Sequence, residues 1–286
     1  MSLVDSASAP AGSTVSTDRA PVQLSTQSAK PVQQAQTQNP AAIGLSRVAV
    51  IIPVLNEVES LPLVLDDLPA GVNVIVVNNG STDATAEVAR QGGATVIDEP
   101  QRGYGKACLS GLAEVERMVR EDGVAIEVIA FVDGDYSDHV HLLDQIVLPI
   151  LRGQEDFVLG SRLTGEREKG AMPPQSVWGN RLACTLMNWF FKGSYTDLGP
   201  MRAVRRSALQ EIEMVDENFG WTIEMQIKAL RHQLRILEIP VPYRCRIGTS
   251  KISGTISGSV RAGVKILYSI WHYGLRRHTA PLFVQV

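Results

Sequence analysis

The chain has 286 residues, a net charge of -3 and 44% hydrophobic residues, which is enough apolar material for one large folded domain. A slightly acidic chain gives no reason to expect nucleic acid as a partner. Its three cysteines are widely spaced and form no Cys-x-x-Cys pair. This pattern excludes a disulfide framework or zinc site and favours a reducing compartment, so we expect a cytoplasmic protein.

Composition divides the chain into three parts. Residues 1–46 are rich in Ser, Thr, Gln, Ala and Pro without apolar periodicity, so we expect them to be disordered. They contain no continuous apolar stretch of the kind that a secretory signal needs. Residues 47–258 are predicted to form one α/β domain, and residues 259–286 form a basic tail.

Strands and helices alternate along the predicted domain. Apolar, β-branched runs predict strands at residues 47–54, 72–77, 94–97, 127–132, 156–160 and 235–242. Helical spacing predicts helices at residues 61–68, 84–91, 105–120, 176–192 and 221–232. A polar loop at residues 163–175 is long for a compact domain, which predicts a functional or mobile segment. The βαβαβαβ order predicts a mostly parallel sheet flanked by helices.

Three of the predicted strands end in polar residues. These residues are Asn56 and Glu57 after the first strand, Asn78 and Asn79 after the second, and Asp133 and Asp135 after the fourth. The carboxyl ends of parallel strands meet at one edge of a sheet, where open α/β sheets bind their ligands. The sequence therefore predicts a site for a nucleotide or a similar ligand at this edge.

The pair Asp133 and Asp135 is a candidate metal site. Mg²⁺ and Mn²⁺ prefer oxygen ligands and often complete their shell with substrate phosphates, so two carboxylates can be the whole share of the protein. Taken alone, the pair fits a solvated turn after a strand equally well.

Basic residues stand in two glycine-containing segments. The run Arg102-Gly103-Tyr104-Gly105-Lys106 precedes a helix and can bring cations close to a phosphate, although a tight turn with solvated cations fits as well. The run Arg246-Ile247-Gly248-Thr249-Ser250-Lys251 can fold over a diphosphate or form a plain surface loop. Glu224, near the start of the last predicted helix, either complements the helix dipole or faces the site.

Seven motifs in one order carry a resemblance to a known family. They are Ile52-Pro53-Val54-Leu55-Asn56-Glu57, Asn79-Gly80-Ser81-Thr82-Asp83-Ala84-Thr85, Arg102-Gly103-Tyr104-Gly105, Asp133-Gly134-Asp135, Gly160-Ser161-Arg162, Asp197-Leu198-Gly199-Pro200-Met201-Arg202 and Gly248-Thr249-Ser250-Lys251. Residues 47–255 resemble the family-2 inverting glycosyltransferases of GT-A fold, near the polyprenyl- or dolichyl-phosphate mannosyl- and glucosyltransferases. The resemblance implies a Rossmann-like single domain that uses Mg²⁺ or Mn²⁺ and a UDP- or GDP-hexose.

The resemblance also implies roles for individual residues. Pro53, Asn56 and Glu57 would border the base and ribose, and Asn79 stands where the family usually has an aspartate that reads the base. That amide can donate and accept hydrogen bonds, so the motif does not choose the nucleotide. Asp133 would contact the ribose or metal-bound water and Asp135 would hold the metal, so both are candidate metal ligands. The residues that would clamp the diphosphate or an acceptor phosphate are Arg202, Arg246, Ser250 and Lys251. The other cations expected to bind the nucleotide sugar are Arg102, Lys106 and Arg162.

The acceptor decides whether a general base is needed. A hydroxyl acceptor needs one, and Glu224 and Asp197 are the candidates, whereas a lipid phosphate is already anionic and needs cations instead. Two other functions stay open from the residues alone. A sugar-phosphate nucleotidyltransferase would carry a Gly-rich loop after the first strand, where Pro53-Val54-Leu55-Asn56-Glu57 stands instead. A non-catalytic nucleotide-sugar binding module would not need to retain both aspartates.

The C-terminal part is basic and amphipathic. Beyond Glu238 the sequence has seven Lys and Arg residues and no Asp or Glu. In residues 259–277 an apolar stripe at helical spacing contains Val260, Val264, Leu267, Tyr268, Trp271 and Leu275. This pattern predicts an interfacial helix on an anionic membrane surface, or a helix that docks on the domain. No run of about 18 uncharged apolar residues is present, so we expect peripheral contact with the inner face of a membrane.

Overall fold

The computed structural model describes residues 44–248, 265 and 267–273. These residues contain a seven-stranded sheet with the order β3-β2-β1-β4-β6-β5-β7. The strands are β1 (Val48–Val54), β2 (Asn73–Asn78), β3 (Thr95–Asp98), β4 (Val128–Phe131), β5 (Phe157–Ser161), β6 (Arg202–Arg205) and β7 (Ile236–Pro240). All neighbouring strands are parallel except β6, which runs antiparallel to β4 and β5. The predicted α/β fold with a mostly parallel sheet is confirmed.

Seven α-helices lie among the described residues 44–248. They are α1 (Leu61–Asp67), α2 (Thr85–Gln91), α3 (Tyr104–Glu121), α4 (Leu143–Leu151), α5 (Pro174–Phe191), α6 (Arg206–Ile212) and α7 (Trp221–Arg231). The sequence did not predict α4, α6 or β6. Pro149 interrupts the pattern of α4, and β6 is a four-residue strand with an arginine at each end that passes directly into α6.

The two faces of the sheet form two apolar cores. Successive side chains of a strand point to opposite faces, and β1 follows this rule closely. Ala49 and Ile51 belong to the core shared with α3, α5 and α7, whereas Val50 and Ile52 belong to the core shared with α1 and α4. Because both faces of β1 are covered, the strand reads as a continuous apolar run.

The ends of the predicted domain differ slightly from the expectation. Leu45 is buried and lies in a short 3-10 helix, so the folded part begins a little before residue 47. The predicted disorder of residues 1–43 lies outside the described residues. Of the C-terminal helix, residues 267–273 are described and helical, and Ile270 is buried in the core next to α7. Cys108 and Cys184 are buried free thiols, and Cys245 is exposed.

Two glycines in helices provide a matched test of packing. A Cβ on Gly105, in the first turn of α3, would lie 2.0 Å from the backbone oxygen of Asp216. A Cβ on Gly179, in α5, would meet no atom within 4 Å. Gly105→Ala should lower the free energy of unfolding by about 1–3 kcal/mol through overpacking. Gly179→Ala should raise it by about 0.5–1 kcal/mol, because alanine favours a helix. Urea denaturation measures both, and a Gly105→Ala variant as stable as the wild type would contradict the close contact.

Candidate active site

The carboxyl ends of β1, β2 and β4 surround a cleft of about 380 Å³. Its walls also include the turn before α3, the loop before α7 and the segment after β7. Of the residues predicted from the sequence, those that line it are Pro53, Glu57, Asn79, Arg102, Asp133, Asp135 and Arg246. Residues up to 193 positions apart in the chain therefore meet at the predicted edge of the sheet.

Asp133 and Asp135 lie together in this cleft. The Tyr104 hydroxyl donates a hydrogen bond of 3.1 Å to Asp133 Oδ1. The backbone N–H and hydroxyl of Ser137 both donate to Asp135 Oδ1. Burial and the neighbouring charge of Asp135 raise the pKa of Asp133 to about 6. The two carboxylates repel each other, so this end of the cleft favours a cation.

Arg246 supplies positive charge opposite these carboxylates. Its guanidinium lies 3.1 Å from Asp135 Oδ2 and donates a 3.0 Å hydrogen bond to Glu57 Oε1. Glu57 in turn accepts a hydrogen bond from Ser60, whose hydroxyl also donates to the carbonyl of Gly134. Arg246 Nε is buried and has no hydrogen-bond partner among the described residues. The guanidinium thus bridges two acidic walls and keeps a donor available.

The Asn79 amide is used by the loop before α3. Its Nδ2 donates to the carbonyls of Glu99 (3.1 Å) and Gln101 (2.7 Å), and its Oδ1 accepts from the Gly103 N–H at 2.8 Å. A carboxylate could not donate to two carbonyls, which explains asparagine at this position. Both Asn79 N–H donors are engaged, so the side chain shapes the wall instead of offering a donor to a base.

Asn56 and Arg102 hold the neighbouring loops in place. Asn56 has a positive φ of 53° and accepts a 2.7 Å hydrogen bond from the Thr82 N–H, which ties the loop after β1 to the loop after β2. Arg102 donates to the carbonyl of Gly80 at 2.9 Å and lines the cleft. Lys106 pairs with Glu217 at 3.3 Å and does not line it.

Asp197 and Arg162 form a buried ion pair. Arg162 donates to both carboxylate oxygens of Asp197, at 2.8 and 2.9 Å from its side chain, and its backbone N–H adds a 2.7 Å bond. Asn180 also donates to Asp197. Burial alone would raise the pKa of Asp197, but the charge and hydrogen bonds of Arg162, together with the hydrogen bond from Asn180, outweigh burial and lower the pKa. Both oxygens of Asp197 are engaged, and neither residue lines the cleft.

Arg202 is also buried away from the cleft. Its guanidinium donates to the carbonyls of Leu198, Gly199 and Thr222, and burial lowers its pKa. These bonds hold the turn before β6 against the start of α7. Arg202 therefore contacts backbone carbonyl oxygens in the structure, whereas the sequence predicted that it would contact a phosphate.

The Glu224 side chain, in the first turn of α7, is buried. Its carboxylate accepts from the backbone N–H groups of Val215 and Asp216, and the Tyr273 hydroxyl donates to it at 2.8 Å. Lys228 lies 2.9 Å away. Glu224 does not line the cleft, and it joins the loop before α7 to the C-terminal helical residues.

Two site residues emerged only from the structure. Tyr104, inside a motif that the sequence singled out for its cations, contacts Asp133, and Phe219 lines the cleft from the loop before α7. Phe219 carries no sequence signal, because it is remote from every motif in the chain. Ser250 and Lys251 lie outside the described residues.

The donor set at the cleft fits a divalent cation. Within the described part of the chain, no group of three or more His, Cys, Asp or Glu side chains converges on a metal position. The protein would supply the two carboxylates of Asp133 and Asp135. Phosphate oxygens and water would complete the coordination shell, as is common for Mg²⁺. The raised pKa of Asp133 and the guanidinium opposite Asp135 both mark a place that favours positive charge.

A mostly parallel sheet with acidic and polar strand ends around one cleft is the arrangement in which open α/β domains bind their ligands. Residues 49–213, more than half of the chain, match "Glycosyl transferase family 2". An uncharacterized glycosyltransferase of Mycobacterium tuberculosis is 36% identical over 220 residues, which cover 75% of this chain and 94% of the relative. The chain belongs to glycosyl transferase family 2 and is a glycosyltransferase.

Other relatives extend the comparison. The dolichyl-phosphate hexose transferase of Haloferax volcanii is 32% identical over 221 residues, which cover 74% of this chain and 89% of the relative. The crystal structure of glucosyl-3-phosphoglycerate synthase from Mycobacterium tuberculosis with Mn²⁺, UDP-glucose and phosphoglyceric acid has a TM-score of 0.64 at 17% identity, over 88% of this chain and 94% of that one. This likeness confirms the predicted GT-A fold.

The raised pKa of Asp133 predicts that the metal-free protein becomes less stable to unfolding as the pH rises. This pKa is about 6 in the folded state against an ordinary 3.8, so ionisation disfavours folding as the pH rises through this window. Asp133→Asn should therefore raise the free energy of unfolding by about 1–3 kcal/mol at about pH 8 and make no difference near about pH 3.5. Denaturation in EDTA across this range measures the effect. Tyr104→Phe removes a bond that lowers this pKa, so it should shift the midpoint upward; a pH-independent difference would contradict the assignment.

The buried pair of Asp197 and Arg162 predicts a large effect on stability. Asp197→Ala leaves the guanidinium buried without its partner, which should cost about 3–5 kcal/mol. The matched control is Glu127→Ala, because Glu127 pairs with Arg47 on the surface and exposed pairs contribute about 0–1 kcal/mol. Chemical denaturation compares them, and equal losses would show that Asp197 is not the anchor described here.

Proposed function

We propose that this protein is a metal-dependent, inverting glycosyltransferase that moves a hexose from a nucleoside-diphosphate sugar to a lipid phosphate. The observation that carries the proposal is the cleft in which Asp133 and Asp135 face the Arg246 guanidinium at the carboxyl edge of the sheet. It combines acidic ligands for a cation with a cation for a phosphate. Membership of family 2 and the similarity to the Haloferax dolichyl-phosphate hexose transferase support the same reaction.

The donor would be a UDP- or GDP-hexose. We propose that Asp135 and Asp133 hold Mg²⁺ or Mn²⁺, which stabilises the negative charge that develops on the departing diphosphate. Pro53, Glu57 and Asn79 form the part of the cleft where the base and ribose would lie. The mycobacterial synthase of similar fold was crystallised with UDP and Mg²⁺ and with UDP-glucose and Mn²⁺, which supports a uridine nucleotide as the first donor to test.

Arg246 would contact the diphosphate. Its Nε lacks a partner among the residues that the structure describes, and its two terminal nitrogens contact carboxylates. A bound cation would compete with Arg246 for the Asp135 carboxylate, and a bound diphosphate would compete with Asp135 for the Arg246 guanidinium. We infer that Arg246 exchanges Asp135 for phosphate oxygens, with which a guanidinium forms strong charge-assisted bonds.

The placement of the two candidate bases favours a phosphate acceptor. Asp197 has both oxygens engaged by Arg162 and Asn180, and Glu224 is held by two backbone N–H groups and Tyr273. Neither lines the cleft. A lipid phosphate arrives as an anion and can attack the anomeric carbon without losing a proton to a base. The acceptor proposed here is therefore a polyprenyl-type phosphate.

A lipid acceptor calls for contact with a membrane. None of the helices in the described ranges is long and apolar enough to cross one. In the C-terminal helical residues, Ile270 is buried against the domain while Leu267, Tyr268 and Trp271 are exposed. The helix thus docks through one face and leaves its aromatic stripe outward, which supports a peripheral position on the inner, cytoplasmic face of a membrane.

Two carboxylate-to-amide substitutions test the proposal. Asp135→Asn should lower turnover at least about 100-fold, because the cation loses a ligand. Glu224→Gln should stay within about tenfold of the wild type, because loss of a general base typically costs about 100-fold or more. The assay uses full-length protein, UDP-glucose or GDP-mannose, Mg²⁺ or Mn²⁺, and polyprenyl phosphate.

Three results would decide against parts of this scheme. Full activity of Asp135→Asn, or full activity in excess EDTA, would exclude the metal role. A large loss in Glu224→Gln with unchanged nucleotide affinity would favour a hydroxyl acceptor and a base. Transfer to a lipid alcohol but not to the matching lipid phosphate would reject the acceptor class.

A further inference from the structure

The outer face of α5 is apolar and uncovered. Trp178, Leu182 and Trp189 are 77%, 50% and 73% exposed. They stand four and seven residues apart, so they lie on one side of the helix, and we call them the tryptophan face. The opposite side of α5 packs in the core through Ala183, Cys184 and Met187. The helix is therefore anchored in the domain while it presents two large aromatic side chains about 16 Å apart along its axis.

The charged residues of α5 itself have one sign. Between Lys169 and Asp197 the sequence contains no Asp or Glu. Arg181 is exposed within the face, and Lys192 follows the last turn of α5. Exposed tryptophans on a helix that carries basic residues and no carboxylate of its own match the composition of surfaces that lie at the interface of an anionic bilayer.

A second cavity of about 470 Å³ borders the first turns of α5. Trp178 and Met172 form its apolar side, and Arg167 and Arg181 its basic side. Glu168 also lines it, but its carboxylate accepts the backbone N–H of Cys245 at 2.7 Å. Trp178 and the two arginines thus combine an apolar body with cations, as a phospholipid head group and its acyl region require.

This cavity adjoins the segment that carries Arg246. The backbone N–H of Glu168 donates to the carbonyl of Tyr243 at 2.9 Å, and the N–H of Tyr243 donates to the carbonyl of Glu166 at 2.9 Å. The polar loop before α5 is therefore paired with the chain three residues ahead of Arg246. A lipid held at the start of α5 would therefore lie against the loop that pairs with the segment carrying Arg246.

We propose that the tryptophan face is a membrane-docking surface that rests on an anionic bilayer, with the cavity between Arg167 and Arg181 receiving a lipid head-group phosphate. This inference rests on the proposed function, to which it adds a lipid contact. Vesicle binding is measured without a sugar donor, so the docking surface and the proposed transfer reaction can each fail without the other. A second copy of the chain is the poorer occupant. Two copies meeting through this face would bring Arg181 and Lys192 of both into one contact, where α5 supplies no carboxylate and the nearby Glu168 already accepts a hydrogen bond from Cys245.

Vesicle flotation of the full-length protein tests this surface. The vesicles contain phosphatidylcholine with or without phosphatidylglycerol at about 3:1, which gives a negative surface. Trp178→Ala combined with Trp189→Ala should lower recovery with anionic vesicles at least about fivefold, since the apolar anchors are lost. Leu63→Ala is the matched control, because Leu63 is a 40% exposed apolar residue of α1 and its removal should change nothing.

A charge reversal separates the bilayer from other occupants. Arg181→Glu should reduce recovery with anionic vesicles and leave weak binding to neutral vesicles unchanged. Recovery of the double tryptophan variant equal to that of the wild type would overturn the proposal. A wild-type dimer in sedimentation that becomes a monomer in the double variant, with no vesicle binding by either, would also overturn it and assign the face to a second copy.

Discussion

Like-charge repulsion at one edge of the sheet is the constraint on which this site depends. Glu57, Asp133 and Asp135 line one cleft, and burial together with Asp135 raises the pKa of Asp133. Such a group of carboxylates persists in a folded protein only when cations compensate it. Arg246 supplies one guanidinium to two of these residues. This excess of negative charge is the physical basis for the divalent cation proposed above.

The position of Arg246 is set by backbone pairing with the aspartate loop. The Ile247 N–H donates to the carbonyl of Asp135 at 3.0 Å, and the Arg244 N–H donates to that of Ser137 at 3.1 Å. The Arg244 guanidinium also stacks on the Tyr136 ring, 3.3 Å from its centroid. The strand-end acids and the basic segment after β7 are thus one connected unit, although more than 100 residues separate them in the chain.

Several polar motif residues act as supports for this unit. Asp197 and Arg162 neutralise each other in the interior, and Arg202 closes a turn through carbonyl oxygens. Glu224 holds the loop that carries Phe219 and receives Tyr273 from the C-terminal helix. Hydrogen bonds thus connect the C-terminal helix to the loop that carries Phe219. Rigid surroundings of this kind keep charged groups aligned with a substrate.

The sequence by itself determined the parallel strands of the sheet and the identity of the acidic edge. Long apolar strands such as β1 are recognisable in the sequence, because a strand buried on both faces needs an unbroken apolar run. The carboxyl ends of parallel strands must meet, so the positions of Glu57, Asn79 and Asp133 after their strands were enough to group them. Strand β6 escaped prediction, because two of its four residues are arginines and so it lacks the apolar run that marks a buried strand.

Only the tertiary structure decided which polar residues face the ligand and which are internal supports. Asp135 and Asp197 have the same side chain, but one lies beside Arg246 in the cleft and the other is closed by Arg162 and Asn180. Phe219 and the exposed side of Trp178 likewise depend on how helices pack over the sheet. Local sequence sets backbone preference and side-chain chemistry, whereas burial and pairing arise from contacts between residues far apart in the chain, which no local pattern contains.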